Sequence, residues 1–345
     1  MRRCKRMLEK ITGRSSACVN FQLSMPRFLL LAVLLMVAPL TLYASLLYGS
    51  LDLTAAQVFN ALLANTPGLE HDVIWQLRMP RSAGAFVCGA LLALAGTYLQ
   101  VLLRNPLADP YILGISGGAA VGALATILLG LSWGVVNISA LLGALAAITV
   151  VFGLSIRSGS WNVHRLLLTG VVLSAGCSAL ISLLLVLAPA PELRGMLFWL
   201  MGDLSHAENI LPALALLLLL TALSQWQAGS LNVLSLGQLK AKTLGVAVLP
   251  LQMGIYFCAA LATVSAVMLG GTIGFVGLII PHLVRLLGVT DHRWLLPMVV
   301  LLGGSLLTVA DTLSRTLWAP NQLPVGVLTA LLGVPAMLLL LSRKR

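Results

Sequence analysis

The chain has 345 residues, of which 59 % are hydrophobic and only 9 % are charged. A soluble globular domain carries about 25 % charged residues, so this composition excludes a soluble protein and predicts a polytopic membrane protein. The formal net charge of +11 could indicate a nucleic-acid partner, but the basic residues are scattered between apolar runs, a pattern typical of topology signals. We therefore expect membrane lipid around the chain and no nucleic-acid partner.

The first segment, residues 1–24, is basic and polar, and a typical membrane entry begins at Met25 with MPRFLLLAVLL. We interpret 1–24 as a cytoplasmic N-terminal extension, either disordered or the product of an over-long start assignment, and 25–345 as one transmembrane domain. A cleaved signal peptide is the less favoured alternative, because the apolar run is long enough to span a bilayer and further spans follow.

Uncharged stretches follow one another along the rest of the chain, and a spanning helix needs about 20 such residues. Single helices fit the stretches 28–51, 82–103, 166–191, 209–239, 294–310 and 316–342. Two stretches, 110–156 and 243–284, are too long for one helix and are expected to break near Ser132-Trp133-Gly134 and Gly270-Gly271. The sequence therefore predicts an all-α fold of ten transmembrane helices, with long polar intervals at 52–79, 189–208 and 227–248.

The distribution of Lys and Arg predicts the orientation. With the N-terminus inside, only four of the 21 basic residues lie outside: Arg78, Arg81, Arg194 and Arg315. Cytoplasmic connections carry the excess of positive charge in membrane proteins. We therefore expect a multi-pass membrane protein with both termini in the cytoplasm.

Candidate catalytic groups are few, and no enzyme activity is expected. Lys242-Thr243 is not preceded by the glycines of a phosphate-binding loop, so this chain should not hydrolyse ATP. The five cysteines show no paired spacing, which predicts neither disulfides nor a metal site. Asp203, His206 and Glu208 could form a metal trio, but a solvated loop is the favoured interpretation. A secondary transporter with inverted repeats remains the alternative function, although it would need acids inside its spans.

The interval 227–248 is the best candidate for a connection to a cytoplasmic partner. SLNVLSLGQLKAKTLGVAVL contains two Leu-Gly pairs with Lys240 and Lys242 between them. We interpret it as a short helix, a glycine turn and a second helix. It either rests on the membrane surface or docks a partner.

The chain resembles the FecCD/BtuC-like permease subunits of bacterial ABC importers for iron-siderophores, heme and vitamin B12. The motifs that carry the resemblance cover the chain from about residue 75 to its end: LRMPR (77–81), GALLALAGTYLQ (89–100), RNPLADPYILGISGGAAVGA (104–123), LLLTG (166–170), LNVLSLGQLKAKTLGV (231–246), GTIGFVGLIIPHLVRLLGVTDHR (271–293) and LPVGVLTALLGVPAMLLLL (323–341).

The resemblance implies a type II ABC importer permease with ten helices, paired with a second permease subunit, a homodimer being favoured. Two cytoplasmic ATP-binding subunits would bind ATP and Mg²⁺, a periplasmic binding protein would deliver the cargo, and this chain would need no cofactor. The cargo would be an iron-siderophore first, then cobalamin, then heme.

The same resemblance assigns site residues. The coupling element for the ATPase comprises Leu236, Gly237, Gln238, Lys240, Ala241, Leu244 and Gly245. Arg78, Arg81 and Arg315 would dock the binding protein. Asn105, Leu107, Asn162, Val163 and His164 would form the cytoplasmic gate. Gln238, Lys240, Val163 and His164 depart from the residues that the family often carries.

The segment RNPLADPYILGISGG (104–118) interrupts two apolar runs. Pro106 and Pro110 are expected to stop one helix and open the next, since proline removes a backbone donor and restricts the residue before it. Gly114, Gly117 and Gly118 are expected to allow close helix packing. Irregular backbone at membrane depth is tolerated where it lines a cavity, so this segment is predicted to belong to the inner gate.

Overall fold

The computed structural model describes residues 26–49, 51, 53–63, 68–157, 160–205, 207, 210–319 and 321–342. The predicted extension 1–24 lies outside this range. The helices of the first half are α1 (Arg27–Leu47), α2 (Ala55–Leu63), α3 (Leu69–Asp72), α4 (Met79–Leu102), α5 (Ile115–Leu128), α6 (Trp133–Ser155) and α7 (Val163–Leu187). A π-helical turn, Val73–Arg78, joins α3 to α4, and a 3₁₀ turn, Pro110–Leu113, precedes α5.

The second half continues the same architecture with shorter connections. Its helices are α8 (Ala190–Met201), α9 (Leu211–Ser235), α10 (Gln238–Thr243), α11 (Val248–Gly270), α12 (Val276–Leu286), α13 (His292–Thr316) and α14 (Val325–Ser342). Between α6 and α7 lies a small antiparallel hairpin of β1 (Ile156–Arg157) and β2 (Ser160–Trp161). The predicted all-α class holds for the described part of the chain apart from this hairpin.

Within the described residues, seven helices are long and apolar enough to cross a membrane: α1, the continuous rod 69–102 that contains α4, and α6, α7, α9, α11 and α13. Three shorter apolar helices are α5, α12 and residues Val325–Leu339 of α14. The two long uncharged stretches break where the sequence predicted, between α5 and α6 and between α11 and α12.

Several boundaries differ from the prediction. The interval 189–208 is not only a loop, because α8 occupies most of it. The span expected at 294–310 extends to Thr316, so that Asp311 and Arg315 are helical. In the interval 227–248 the predicted first helix is the end of the long α9, and the predicted second helix, after the turn at Gly237, is α10. Length and composition locate apolar stretches, whereas helix ends depend on tertiary partners.

The short helices α5 and α12 begin within the depth of the bundle. With a rise of about 1.5 Å per residue, their 14 and 11 residues span about 21 and 16 Å, less than the ~30 Å hydrocarbon core. A β-carbon added at Gly277 would lie 2.8 Å from the carbonyl oxygen of Leu92 and 2.8 Å from Pro110. Leu92 lies ten residues before the end of α4, so both helix starts are buried at mid-depth.

The irregular backbone at this depth is satisfied by side chains. The hydroxyl of Tyr111 donates to the carbonyl of Ile273 at 3.0 Å and accepts from its amide at 2.9 Å. The carboxylate of Asp109 accepts from the Tyr111 amide at 2.8 Å. The turns before α5 and α12 therefore brace each other inside the protein, the one setting in which non-helical backbone is tolerated at membrane depth.

Helix α4 is the central element, with 94 % of its most apolar window buried. Glycines bring its neighbours close: Gly89 contacts Gly303 of α13, and Gly96 contacts Gly277 of α12, backbone against backbone. Gly118 of α5 meets Gly143 of α6 in the same way. Small residues are favoured between membrane helices because close approach increases van der Waals contact. The prediction that glycines serve close packing is confirmed for Gly118.

Candidate functional site

The connection between α9 and α11 carries all seven residues predicted for coupling. Gly237 and Gly245 have φ values of 118° and 78°, which favour glycine, and they bracket α10. Around this helix three leucines are strongly exposed, Leu236 by 62 %, Leu239 by 78 % and Leu244 by 64 %. Exposed apolar groups with a polar rim mark interaction surfaces, and Lys240 and Lys242 supply that rim.

The remaining coupling residues shape this segment. Ala241 is completely buried, and its amide donates to the Gly237 carbonyl at 2.9 Å. Its carbonyl accepts from the Val246 amide at 3.0 Å. Gln238 is half-buried at the first position of α10. We call the end of the bundle that carries this segment the α10 end.

The predicted gate turns lie at the same end. A β-carbon added at Gly237 would lie 3.6 Å from Nη1 of Arg104, so α10 adjoins the turn that follows α4. Within this turn the Asn105 side chain accepts from the amide of Leu107 at 2.9 Å. The Leu107 side chain is partly exposed. The turn is thus internally fixed and in contact with the coupling segment.

The second gate turn is the start of α7. The Asn162 side chain caps this helix by accepting from the amides of His164 at 2.9 Å and Arg165 at 3.4 Å. Val163 is half-buried and His164 is exposed. The 3₁₀ turn packs on the same helix, since a β-carbon at Gly170 would lie 2.6 Å from the Ile112 carbonyl. In the described part of the chain, no hydrogen bond joins these residues to Asn105 or Leu107.

The three arginines predicted for docking converge at the opposite end, around a cavity of about 300 Å³. Arg78 is 5 % exposed and donates to the carbonyls of Leu46 at 2.6 Å, Leu47 at 3.0 Å and Leu51. Helix α1 and the chain after it therefore hold this guanidinium in place. The arginines are buried groups with intramolecular partners rather than freely exposed ones.

Asp311 is the residue of this cluster that the sequence interpretation missed. Its carboxylate is completely buried, 3.0 Å from Nη2 of Arg81 and 3.1 Å from Nε of Arg315. Gln322 accepts from Arg81 at 2.9 Å, and Ser45 from Arg315 at 2.8 Å. The spacing of Asp311 and Arg315, one helical turn apart, was the available signal. It was overlooked because both residues were placed in a connection.

Helix α7 carries a polar stripe on its exposed face. Only 11 % of its most apolar window is buried, yet Ser174, Ser178 and Ser182 recur at intervals of four. Each hydroxyl donates to the carbonyl four residues before it, at 2.8 to 2.9 Å. The i, i+4, i+8 spacing in a Leu- and Val-rich span was a signal that the sequence interpretation did not use. This face suits a protein partner or a water-filled path better than lipid.

Metal-binding groups of three or more His, Cys, Asp or Glu side chains are absent from the residues that the structure describes. Of the possible metal trio, Asp203 is described, whereas His206 and Glu208 lie outside the described residues. Cys88 and Cys177 are buried free thiols, and Cys258 is half-buried.

The described chain is a helical membrane bundle that contains half-span helices. It carries an exposed apolar segment around α10 at one end and an arginine-lined cavity at the other. These features are those of a membrane permease. The FecCD transport family profile matches residues 30–343, and the chain belongs to this family. It is therefore a transport subunit and not an enzyme.

Known relatives agree with this assignment. The hemin transport system permease HmuU of Yersinia pestis is 41 % identical over 318 residues, covering 89 % of this chain and 94 % of that protein. The vitamin B12 import system permease BtuC of Klebsiella pneumoniae is 38 % identical over 278 residues, covering 79 % and 83 %. A metal-chelate type ABC transporter solved in an inward-facing conformation is 33 % identical with a TM-score of 0.79, covering 92 % and 99 %.

Proposed function

We propose that the chain is the membrane-spanning subunit of an ATP-driven importer that carries a metal chelate of the heme, cobalamin or iron-siderophore class into the cytoplasm. The observation that carries the proposal is the exposed Leu236, Leu239 and Leu244 around α10, set between two spans of a FecCD-family permease. An apolar projection of this kind needs a partner surface. ATP and Mg²⁺ would be bound by that partner and not by this chain.

The proposed topology has ten spans, the seven long helices and the three shorter apolar ones. The α10 end would face the cytoplasm, because most basic residues with described side chains lie there and cytoplasmic connections are rich in Lys and Arg. These residues are Arg27, Arg104, Arg165, Lys240, Lys242, Arg285 and Arg293. Both chain termini would then lie on the cytoplasmic side of the inner membrane.

The coupling step is proposed to run from α10 to the gate. Two ATP-binding subunits, one on each permease subunit, would move the α10 segments when they close on ATP. Because Gly237 adjoins Arg104, this movement would be transmitted to the turn that holds Asn105 and Leu107. The α7 turn at Asn162, Val163 and His164 would form the other side of the inner gate, since the 3₁₀ turn packs on α7 at Gly170.

The exposed serine face of α7 is proposed to meet the second permease subunit and to line the translocation path. Small hydroxyl side chains that satisfy themselves on their own helix, as Ser174, Ser178 and Ser182 do, offer weak binding to a passing chelate. Weak binding suits a path from which cargo must be released. Selection would then rest with the periplasmic binding protein.

The arginine cavity at the opposite end is proposed to dock that binding protein. One buried carboxylate faces Arg81 and Arg315, so with Arg78 the cluster retains a net positive charge. Guanidinium groups bind carboxylates with strong, directional hydrogen bonds, which favours acidic groups on the partner. Asp311 does not favour the secondary-transporter alternative, because its carboxylate is completely buried between Arg81 and Arg315 as part of a structural ion-pair cluster.

The test of the cargo class is reconstitution with the ATP-binding subunit and the binding protein. Hemin is the first cargo, because the hemin permease aligns over more of both chains than the vitamin B12 permease does.

The test of the coupling role is the Leu239→Glu variant. It should lose at least about tenfold in affinity for the ATP-binding subunit, since truncating or charging an interface anchor costs about 2 kcal/mol or more. Leu63→Glu, equally exposed in α2 at the opposite end, is the matched control. Unchanged ATPase binding by Leu239→Glu would contradict the coupling role, and failure of all three chelate classes to raise ATPase activity would contradict the cargo class.

A further inference from the structure

A second polar cavity, of about 290 Å³, opens at the α10 end between the ends of α4, α9 and α12 and the start of α13. We call it the α10-end cavity. The side chains that define its chemistry are Gln100, Arg104, Ser235, Arg285, Thr290 and His292. Val101 and Pro106 complete the lining, so polar and charged side chains form six of its eight residues.

The α10-end cavity has an excess of positive charge. Arg285 is half-buried and donates to the side-chain oxygen of Gln100. Within the described residues, neither Arg285 nor Arg104 lies within ion-pair distance of a carboxylate. Asp291 lies between the lining residues Thr290 and His292 in the sequence, and its carboxylate accepts from Asn232 at 2.7 Å and from the Arg293 amide at 3.0 Å. A guanidinium withdrawn from water is normally paired, so an anion in the cavity would supply the ion-pair partner that the half-buried Arg285 lacks.

An unpartnered buried nitrogen gives a second, independent indication of a ligand. His292 is 3 % exposed, and its Nδ1 lies 2.6 Å from Oδ1 of Asn232. This oxygen also accepts from the His292 amide at 2.9 Å, so Nδ1 carries the ring proton and donates. The neutral ring then has a lone pair on Nε2, on the side away from Asn232. Nε2 is buried and has no hydrogen-bond partner, which is costly unless a ligand donates to it.

We propose that the α10-end cavity binds inorganic phosphate. Arg104 and Arg285 would donate to its oxygens, with the hydroxyls of Ser235 and Thr290 within the same lining. The lone pair on Nε2 of His292 would accept from the phosphate's own P–O–H group. At neutral pH free phosphate keeps at least one such proton, whereas sulfate and the phosphodiester of a lipid headgroup carry none. An acceptor in the site therefore selects phosphate over both.

The position of this site gives it a structural consequence. Arg104 has a left-handed backbone conformation, with φ at 48°, and its guanidinium adjoins Gly237 at the start of α10. A phosphate held between Arg104 and Arg285 would tie this turn to α12 and α13. Binding would therefore brace the base of α10. The inference does not depend on the proposed transport activity, because it concerns binding to this chain alone.

The experiment measures thermal unfolding of the purified chain in uncharged detergent, titrated with phosphate or sulfate at constant ionic strength. We expect saturable stabilisation by phosphate, with an apparent Kd at least about tenfold lower than that for sulfate. Arg104→Gln should weaken phosphate binding by about tenfold or more, because a hydrogen bond to a charged group contributes about 1.5–3 kcal/mol. Arg104 is exposed, so its replacement leaves the core intact. Arg293→Gln removes an exposed charge nearby that does not line the cavity, and should change binding less than twofold.

Several results would overturn the proposal. They are the absence of saturable stabilisation, equal protection by sulfate, or equal weakening by Arg104→Gln and Arg293→Gln. Nanodiscs containing phosphatidylglycerol test the lipid as a source, and displacement of phosphate by this lipid would assign the site to a headgroup instead. If phosphate has no effect but Arg104→Gln alone weakens binding of an ATP-binding subunit, the cavity is a docking pocket for that protein and the phosphate assignment is wrong.

Discussion

Replacement of Asp311 by Asn is the sharpest test of the charge arrangement in the bundle. The Asp311→Asn variant keeps the shape of the side chain and removes its charge. The carboxylate is completely buried, and the side chains of Arg81 and Arg315 are 12 % and 9 % exposed. Breaking a buried ion pair by removing one partner costs roughly 3–5 kcal/mol. Here one substitution leaves two buried guanidiniums without an anion, so we expect a loss near the upper end of this range.

The assay is reversible unfolding in mixed micelles, followed by tryptophan fluorescence. Asp72→Asn is the matched control, because this acid lies at the same end with its side chain 58 % exposed and should change the free energy of unfolding by less than about 0.5 kcal/mol. Adding Arg81→Gln to Asp311→Asn should recover part of the loss, since one unpaired cation is removed. A loss below about 1 kcal/mol for Asp311→Asn would refute the reasoning, because it would give the cluster the energetics of a surface ion pair.

Two further predictions concern the buried turns and helix contacts. Gly96→Ala should lower the free energy of unfolding by about 1–3 kcal/mol, because the new methyl group meets the backbone of Gly277. Gly134→Ala is the control, since Gly134 has open space around it, and it should not destabilise the protein. Equal losses of stability in the two variants would argue against the close contact. Asp109 lies in the buried turn before α5 at membrane depth, where carrying a charge is costly. Asp109→Asn keeps the hydrogen bond to the Tyr111 amide without that charge, so its stability at pH 7 should be unchanged or higher. Asp109→Ala removes the hydrogen bond and should lower the free energy of unfolding by about 0.5–2 kcal/mol. Thermal unfolding across pH 4–8 measures both effects, and a large loss of stability in Asp109→Asn would contradict the prediction.

The sequence predicted the exposed turn segment around α10 because its signals are local. Glycines at 237 and 245 predict turns from backbone sterics alone, and leucines between them are exposed in any structure that turns there. The family motifs likewise lie within single segments, so resemblance could be recognised without knowing which segments touch. The helix stop at Asn105, before Pro106 and after the end of α4, followed from the same local rules, whereas Asn162 at the start of α7 was assigned through the resemblance.

The arginine cluster was only half predictable for the opposite reason. Arg78, Arg81 and Arg315 could be found as basic residues beside spans, but Arg81 and Arg315 are paired inside the protein by Asp311, which is 230 residues from Arg81 along the chain. Neither composition nor periodicity reports such a distance. The α10-end cavity is similar, since Gln100 and Arg285 meet across 185 residues.

By itself, therefore, the sequence determined the membrane setting, the breaks between helices and the family. These follow from hydropathy, glycine and proline geometry, and charge asymmetry, which act over a few residues or are summed over the whole chain. Only the tertiary structure decided that α5 and α12 begin at mid-depth, that one buried carboxylate holds two arginines, and that two cations and an unpartnered imidazole nitrogen share a cavity. Those outcomes arise where helices that are distant in the sequence pack within van der Waals contact. The packing decides which groups surround a buried charge, and those groups set its energy.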